Sequence, residues 1–535
     1  MQQLLSNQAR EHVILSVCAL AAKRYNLEGN NSSSAWQYSL ANQWATRAGQ
    51  LVFQEVDDPQ EENIVTLVNL TLFWYEEGQW RKSCIYQGNA ILIAQVALSP
   101  NALEKGLRGP FQDEMQRRRL WACYLMTSYS SETYLQKWTF QLVKNLGLPC
   151  REEEFSPDMA RTAAPIGIEG QNVGLAGELI RIICLWQVDP KECTCYLANS
   201  TFPNCRNKTC ELIQNKPRNM QSYLVAVQEL DLAVSKWHGG LQASFRGLDQ
   251  GVLAEPNTSP ILYLLHFFYH QCLCSMHASV VPLFCWGGFT TDANPLAQQL
   301  SAQAAFEHSR SISGLASSIL AGAFPASRGN SFFGYACYCA CAVIIPFLRC
   351  TNAAVRARAH QDVLANLTLM RQLGTYWKFT KLLGANIQTI YNMHSQFTHC
   401  IEDEPKHMSL SSFQTASLDV RRVTSSILGH NKILRAPTGA VALNDAEVTD
   451  LGFGEAFGED TIGTLIQEIK TSLDMDQTPQ SFDAGSDDLS FNYSAQTFVS
   501  QQQLEFINGC PFVFPGNMDF TAEDNSIFSF EIVDS

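Results

Sequence analysis

Apolar residues recur at three- and four-residue steps from near the start of the chain to about residue 400, a spacing that admits helices and little else. Between Asn63 and Glu77, the residues Ile64, Leu67, Val68, Leu72 and Tyr75 fall on one helical face. After Gly78 the pattern resumes with Tyr86, Ala90, Ile93, Ala94 and Ala97. Ser99-Pro100 then supplies a stop, because proline has no N–H for the next helical hydrogen bond. Two antiparallel helices joined by a short turn follow from this. The same period predicts helices over Asp113–Leu142, Leu175–Val188, Gln221–Trp237, Ile261–Phe284, Leu296–Leu320, Ser331–Arg349 and Ala353–Gln396. Alternating β-branched runs bounded by hairpin turns are missing. The fold class is therefore all-α, an irregular array of packed antiparallel helices, and the lack of a fixed repeat period argues against a solenoid.

Charge divides the chain more sharply than composition does. Of 51 acidic residues, 18 lie between Val441 and Ser535, where Lys470 is the single basic residue. The remaining 33 acidic and 36 basic residues leave Met1–Ala440 close to neutral, so the tail carries all of the net charge of −14. From about Ile401 the composition turns to Ser, Thr, Asp and Gly. Such a segment buries too little apolar surface to offset its chain entropy, which predicts disorder. Eleven phenylalanines, from Phe453 to Phe530, are interspersed among the acids. That mixture is the signature of an acidic activation segment, whose aromatics stay solvated until a partner groove takes them. A merely solubilising tail is the plainer alternative. Within the tail, Ile462, Leu465, Ile466, Ile469 and Leu473 stand at helical spacing, a face suited to folding onto a coactivator. The organisation expected is a helical regulatory body over residues 1–400, a linker over 401–440 and an acidic, Phe-rich activation segment over 441–535.

The 18 cysteines are scattered, and Cys337, Cys339 and Cys341 sit in an apolar run where a thiol acts as a small hydrophobe, as expected in a reducing compartment. No apolar run is expected to reach the roughly 18 residues that cross a bilayer, so no membrane partner is expected. Val13–Ala22 is apolar, but Arg10 ahead of it is offset by Glu11, which reads as an amphipathic helix and not as a secretory leader.

Three blocks between Asn63 and Phe155 carry a family likeness. The first is Val68-Asn-Leu-Thr-Leu-Phe-Trp-Tyr-Glu-Glu-Gly followed by Tyr86-Gln-Gly-Asn-Ala-Ile-Leu-Ile-Ala-Gln; the second is Glu114-Met-Gln-Arg-Arg-Arg-Leu-Trp-Ala-Cys-Tyr; the third is Leu148-Pro-Cys-Arg-Glu-Glu-Glu-Phe. In that order they resemble the fungal-specific transcription factor domain, the middle homology region that follows the zinc binuclear cluster in fungal regulators. Weaker likeness runs through Leu264-Leu-His-Phe-Phe-Tyr-His-Gln-Cys to Leu373-Gly-Thr-Tyr-Trp. The chain departs from the pattern at Thr127, where an acidic residue is usual, and at His277-Ala-Ser-Val-Val-Pro, where an Arg-Pro pair is usual. The resemblance implies a nuclear transcriptional regulator, of a metabolic or secondary-metabolite pathway, that forms homo- or heterodimers, engages transcription coactivators and responds to an effector.

Such regulators read DNA through six cysteines that hold two zinc ions. This sequence has no such six-cysteine pattern, so zinc is expected only in a module preceding Met1, and DNA contact only through that module or through a partner protein. A co-regulator that pairs with a complete family member is the alternative. No other cofactor is expected. Cys193, Cys195, Cys205 and Cys210 form a weak zinc candidate, because their spacing matches no common module. Arg117–Arg119 read as a solvated helix face, too few for the six to ten phosphate contacts of sustained DNA binding.

No catalytic residues are assigned. His266, His270 and Cys274 share a helical face, but Leu264, Leu265, Phe267 and Phe268 around them make that a core helix. Asp57-Asp58-Pro-Gln-Glu61 is a distant echo of the magnesium motif of helical terpene cyclases, the remote enzymatic alternative. Its proline and the lack of a second acidic motif count against it.

Overall fold

The structure, a computed structural model, describes residues 9–28, 34–97, 109–127, 133–156, 173–187, 220–246, 248, 259–281, 283–284, 294–396, 401–409 and 460–476. Fifteen α-helices and no strand occur among them, so the fold is all-α. The first six are α1 (Glu11–Glu28), α2 (Ser34–Gln54), α3 (Glu61–Glu76), α4 (Trp80–Ala97), α5 (Pro110–Thr127) and α6 (Thr133–Val143). Then come α7 (Leu175–Gln187), α8 (Met220–Gly240), the one-turn α9 (Ala243–Arg246), α10 (Pro260–Ala278), α11 (Pro295–Ser318) and α12 (Ser331–Ile344). The last are α13 (Ala353–Leu373), α14 (Lys378–Gln396) and α15 (Thr461–Asp476).

The α3–α4 hairpin forms where Gly78 ends the first run. Gly78 has φ +73°, its N–H donates to the Tyr75 carbonyl at 3.0 Å, and the Gln79 N–H donates to that of Trp74 at 2.9 Å. These two bonds satisfy carbonyls that the last helical turn leaves open. An L side chain at Gly78 meets its own backbone in this conformation. Gly78→Ala is therefore expected to lower the unfolding free energy by about 1 kcal/mol, read as a lower urea midpoint at unchanged slope.

α12 is the centre of the larger half, packed by α10, α11, α13 and α14, and all fourteen of its residues are buried. Phe268 on α10 stacks on Phe332 at 3.7 Å between centroids, and Phe267 on Phe333 at 4.6 Å. This region corrects one expectation. Ser331–Arg349 is 19 residues long with a mean hydropathy of 1.8, enough to cross a membrane by length and composition. Its fully buried 18-residue window shows why it is so apolar: neighbouring helices enclose it. Cys337 and Cys341 lie within it, and burial pushes both thiols well up, so they serve as small hydrophobes. The two halves meet where Tyr75 and Trp80 pack on Phe379 at 6.2 and 6.4 Å and where Lys378 pairs with Glu77 at 3.1 Å.

The periodicity over Asp113–Leu142 yields two helices, α5 and α6. The stretch Ala353–Gln396 also divides, at Gly374–Trp377, where the Gly374 and Trp377 N–H groups close the last turn of α13 on the Met370 and Leu373 carbonyls. Residues 401–409, which composition places in the linker, lie against the body. The Thr351 and Asn352 N–H groups donate to the Ile401 and Glu402 carbonyls, and Ile401 and Met408 are buried.

Candidate functional site

The second and third sequence blocks converge on one carboxylate. Glu114, on the inner face of α5, has a fully buried side chain. One oxygen accepts from Arg118 Nε at 2.9 Å and from the Cys150 N–H at 2.9 Å, and the other pairs with Arg117. Arg118 also donates to Glu152 at 2.8 Å and to the Cys150 carbonyl at 3.2 Å, with its guanidinium 4.2 Å from the Phe155 ring centroid. Arg119 pairs with Glu61 at the start of α3, and the Trp121 indole donates to the Gly147 carbonyl at 2.9 Å. Block two supplies the Glu–Arg helix and block three the backbone that it clamps, while Glu61, just ahead of block one, holds Arg119.

That geometry corrects the reading of Arg117–Arg119 as a solvated face. Their side chains are only 15–16% exposed, and each is committed to a carboxylate. Sequence shows three adjacent charges but not Glu61 or Glu152, which reach them across 58 and 34 residues. The cluster is a brace and offers no free cations to a phosphate backbone. Burial, with the Glu114 charge, pushes the Cys150 thiol up to about 11, so at neutral pH it is protonated and a poor nucleophile.

The second feature is α15. The segment expected to be disordered contains a docked helix at 461–476, because four of its apolar residues find a groove between α13 and α14. Ile462, Leu465, Ile466 and Ile469 are 0–6% exposed within the main hydrophobic core. Hence the face assigned to a coactivator is covered by the chain's own body; the side chain of Leu473 lies outside the described residues. Asp460 caps the helix, accepting from the Gly463 N–H at 2.9 Å, and pairs with Arg371 of α13 at 2.5 Å. Gln388 of α14 donates to Glu468 at 3.3 Å. Ile462 lies directly over Gly384 of α14, so closely that a Cβ there would fall 2.4 Å from Ile462 Cγ1. Sequence reasoning missed this groove. Gly384, Gln388 and Tyr391 do form an i, i+4, i+7 stripe, but nothing in it points to a tail helix some eighty residues onward.

The other candidates fall as follows. Cys193, Cys195, Cys205 and Cys210 lie outside the described residues. His266, His270 and Cys274 are buried core positions. His266 Nε2 lies 2.7 Å from the Phe245 carbonyl, and His270 Nδ1 lies 2.9 Å from His308 Nδ1. Asp57 and Asp58 are exposed in the turn after α2, while Glu61 of the same motif is held by Arg119 and Gln116. Among the described residues no group of three or more His, Cys, Asp or Glu side chains is placed to hold a metal ion.

The geometry is that of a helical body braced by one buried carboxylate, with a tail helix seated on it. Its sequence is similar to fungal transcription regulators. The chain is 28% identical over 211 residues to the Zn(2)-C6 fungal-type transcription factor FTF1c of Fusarium oxysporum f. sp. lycopersici, which covers 35% of this chain and 23% of that protein. A longer alignment to a protein of the same name runs over 418 residues at 22% identity, covering 73% of this chain and 43% of the relative. It is also 26% identical over 211 residues to an uncharacterized transcriptional regulatory protein of Schizosaccharomyces pombe, covering 35% of this chain and 21% of the relative. The chain thus spans less than half the length of these curated relatives. No family model and no solved structure matches it. The relatives are transcription regulators and not enzymes, in agreement with the non-enzymatic reading.

Proposed function

We propose that this chain is the regulatory and activating part of a fungal-type transcription regulator, acting in the nucleus. The observation that carries the proposal is an alignment to a named transcription factor over 73% of the chain, joined to an acidic, Phe-rich tail. In this reading the helical body, residues 1–400 with the 401–409 strap, regulates and the segment 441–535 recruits coactivators. DNA is reached through a module outside this sequence or through a dimer partner, since the densest basic cluster on α5 is consumed by Glu61, Glu114 and Glu152.

Fusing residues 441–535 to a heterologous DNA-binding domain is expected to activate a reporter well above that domain alone. A stably expressed fusion that leaves the reporter at background would remove the tail's role. The committed cations also favour a co-regulator that lacks DNA contact of its own. A mobility-shift assay with the purified chain tests this, because specific duplex binding unaided would contradict it.

A further inference from the structure

We infer that the α13–α14 groove is a docking site for the tail's own helix, and that docking withholds the Ile462, Leu465, Ile466 and Ile469 face from transcription coactivators. The inference rests on the proposed activating role of the tail. Helix-in-groove recognition uses apolar anchors at i, i+3, i+4 and i+7, which is the spacing of those four residues. All four are buried against the body in this state. A helix presents one such face, so it serves the groove or a coactivator, never both.

The groove matches its ligand in shape and in charge. Gly384 removes the side chain that would strike Ile462, letting the two backbones approach. Arg371 meets Asp460 at the helix N-terminus, where a carboxylate also caps the free N–H groups. Gln388 meets Glu468 at the middle of the helix. An isolated helix of this length is marginal in water, so face and groove stabilise each other. Fifty residues, 410–459, separate the strap from Asp460, long enough for the helix to leave without moving the body.

The test uses a groove-side substitution that leaves the helix's own face unchanged. In Gly384→Leu, the three heavy atoms nearest the new Cβ all belong to Ile462, and leucine is the better helix former for α14. With the full chain tethered to a heterologous DNA-binding domain, Gly384→Leu is expected to raise reporter output several-fold over wild type, towards that of the tethered 441–535 segment. Hydrogen exchange on the purified full chain is expected to show residues 461–476 protected in wild type and unprotected in the variant, with α13 and α14 protected in both. Arg371→Glu, at an exposed pair, is expected to act in the same direction by a smaller factor and serves as a second undocking variant. Unprotected amides at 461–476 in wild type would overturn the inference. So would an undocked chain that activates no more than wild type while the 441–535 segment alone is active. A silent 441–535 segment would overturn the activation reading itself, and the masking with it.

Discussion

Replacing Glu114 by alanine is expected to lower the unfolding free energy by about 3–5 kcal/mol, the range for removing one partner of a buried ion pair. The loss is large because three groups depend on this carboxylate. Arg118 and the Cys150 N–H share one oxygen at 2.9 Å each, and Arg117 takes the other. Without it, two guanidiniums with side chains 15–16% exposed each lose a carboxylate partner, and a backbone donor loses its acceptor. Glu114→Gln keeps an acceptor for Cys150 but not the charge, and should fall between wild type and alanine. Urea unfolding of the three proteins measures this. A loss below about 1 kcal/mol for alanine, the value of an exposed pair, would mean that the brace contributes little.

Phe268→Ala is expected to cost about 3–5 kcal/mol as well, by a different route. The ring is buried between α10 and α12, stacked on Phe332 at 3.7 Å. Its removal leaves a cavity beside a helix on which every residue is covered, so there is no solvent-facing side into which the structure can relax. Phe268→Leu retains most of the volume and should cost less than about half as much. Thermal unfolding by circular dichroism distinguishes the two, and equal losses would contradict the packing given for α10 and α12.

The helical class was legible because amphipathic spacing is a local property. Ile64, Leu67, Val68, Leu72 and Tyr75 are all buried on α3, although its other faces are largely covered too, and Gly78 marks its end, within a window of sixteen residues. What the sequence did not disclose is set by partners distant along the chain. The α5 arginines look solvent-facing until Glu61 and Glu152 are brought to them. The tail helix shows the same limit from the other side. Its apolar face is plain in the sequence, yet the choice between an external groove and the α13–α14 groove depends on a contact between Ile462 and Gly384 that no local pattern encodes. Acid-rich composition predicts disorder as a rule about averages, and fails at 461–476, where a pre-existing surface supplies the burial that the segment lacks. Ser331–Arg349 errs in the opposite sense, because a helix enclosed by its neighbours has the composition of a membrane span.

Neither stability nor docking shows whether the chain works on chromatin. Chromatin immunoprecipitation of the tagged full-length protein from the cells that make it, followed by sequencing, addresses it directly. The account expects recovery at discrete promoters whose transcripts fall when residues 441–535 are deleted, with the helical body still folded. Uniform background across the genome, from a protein shown to be expressed and folded, would contradict it.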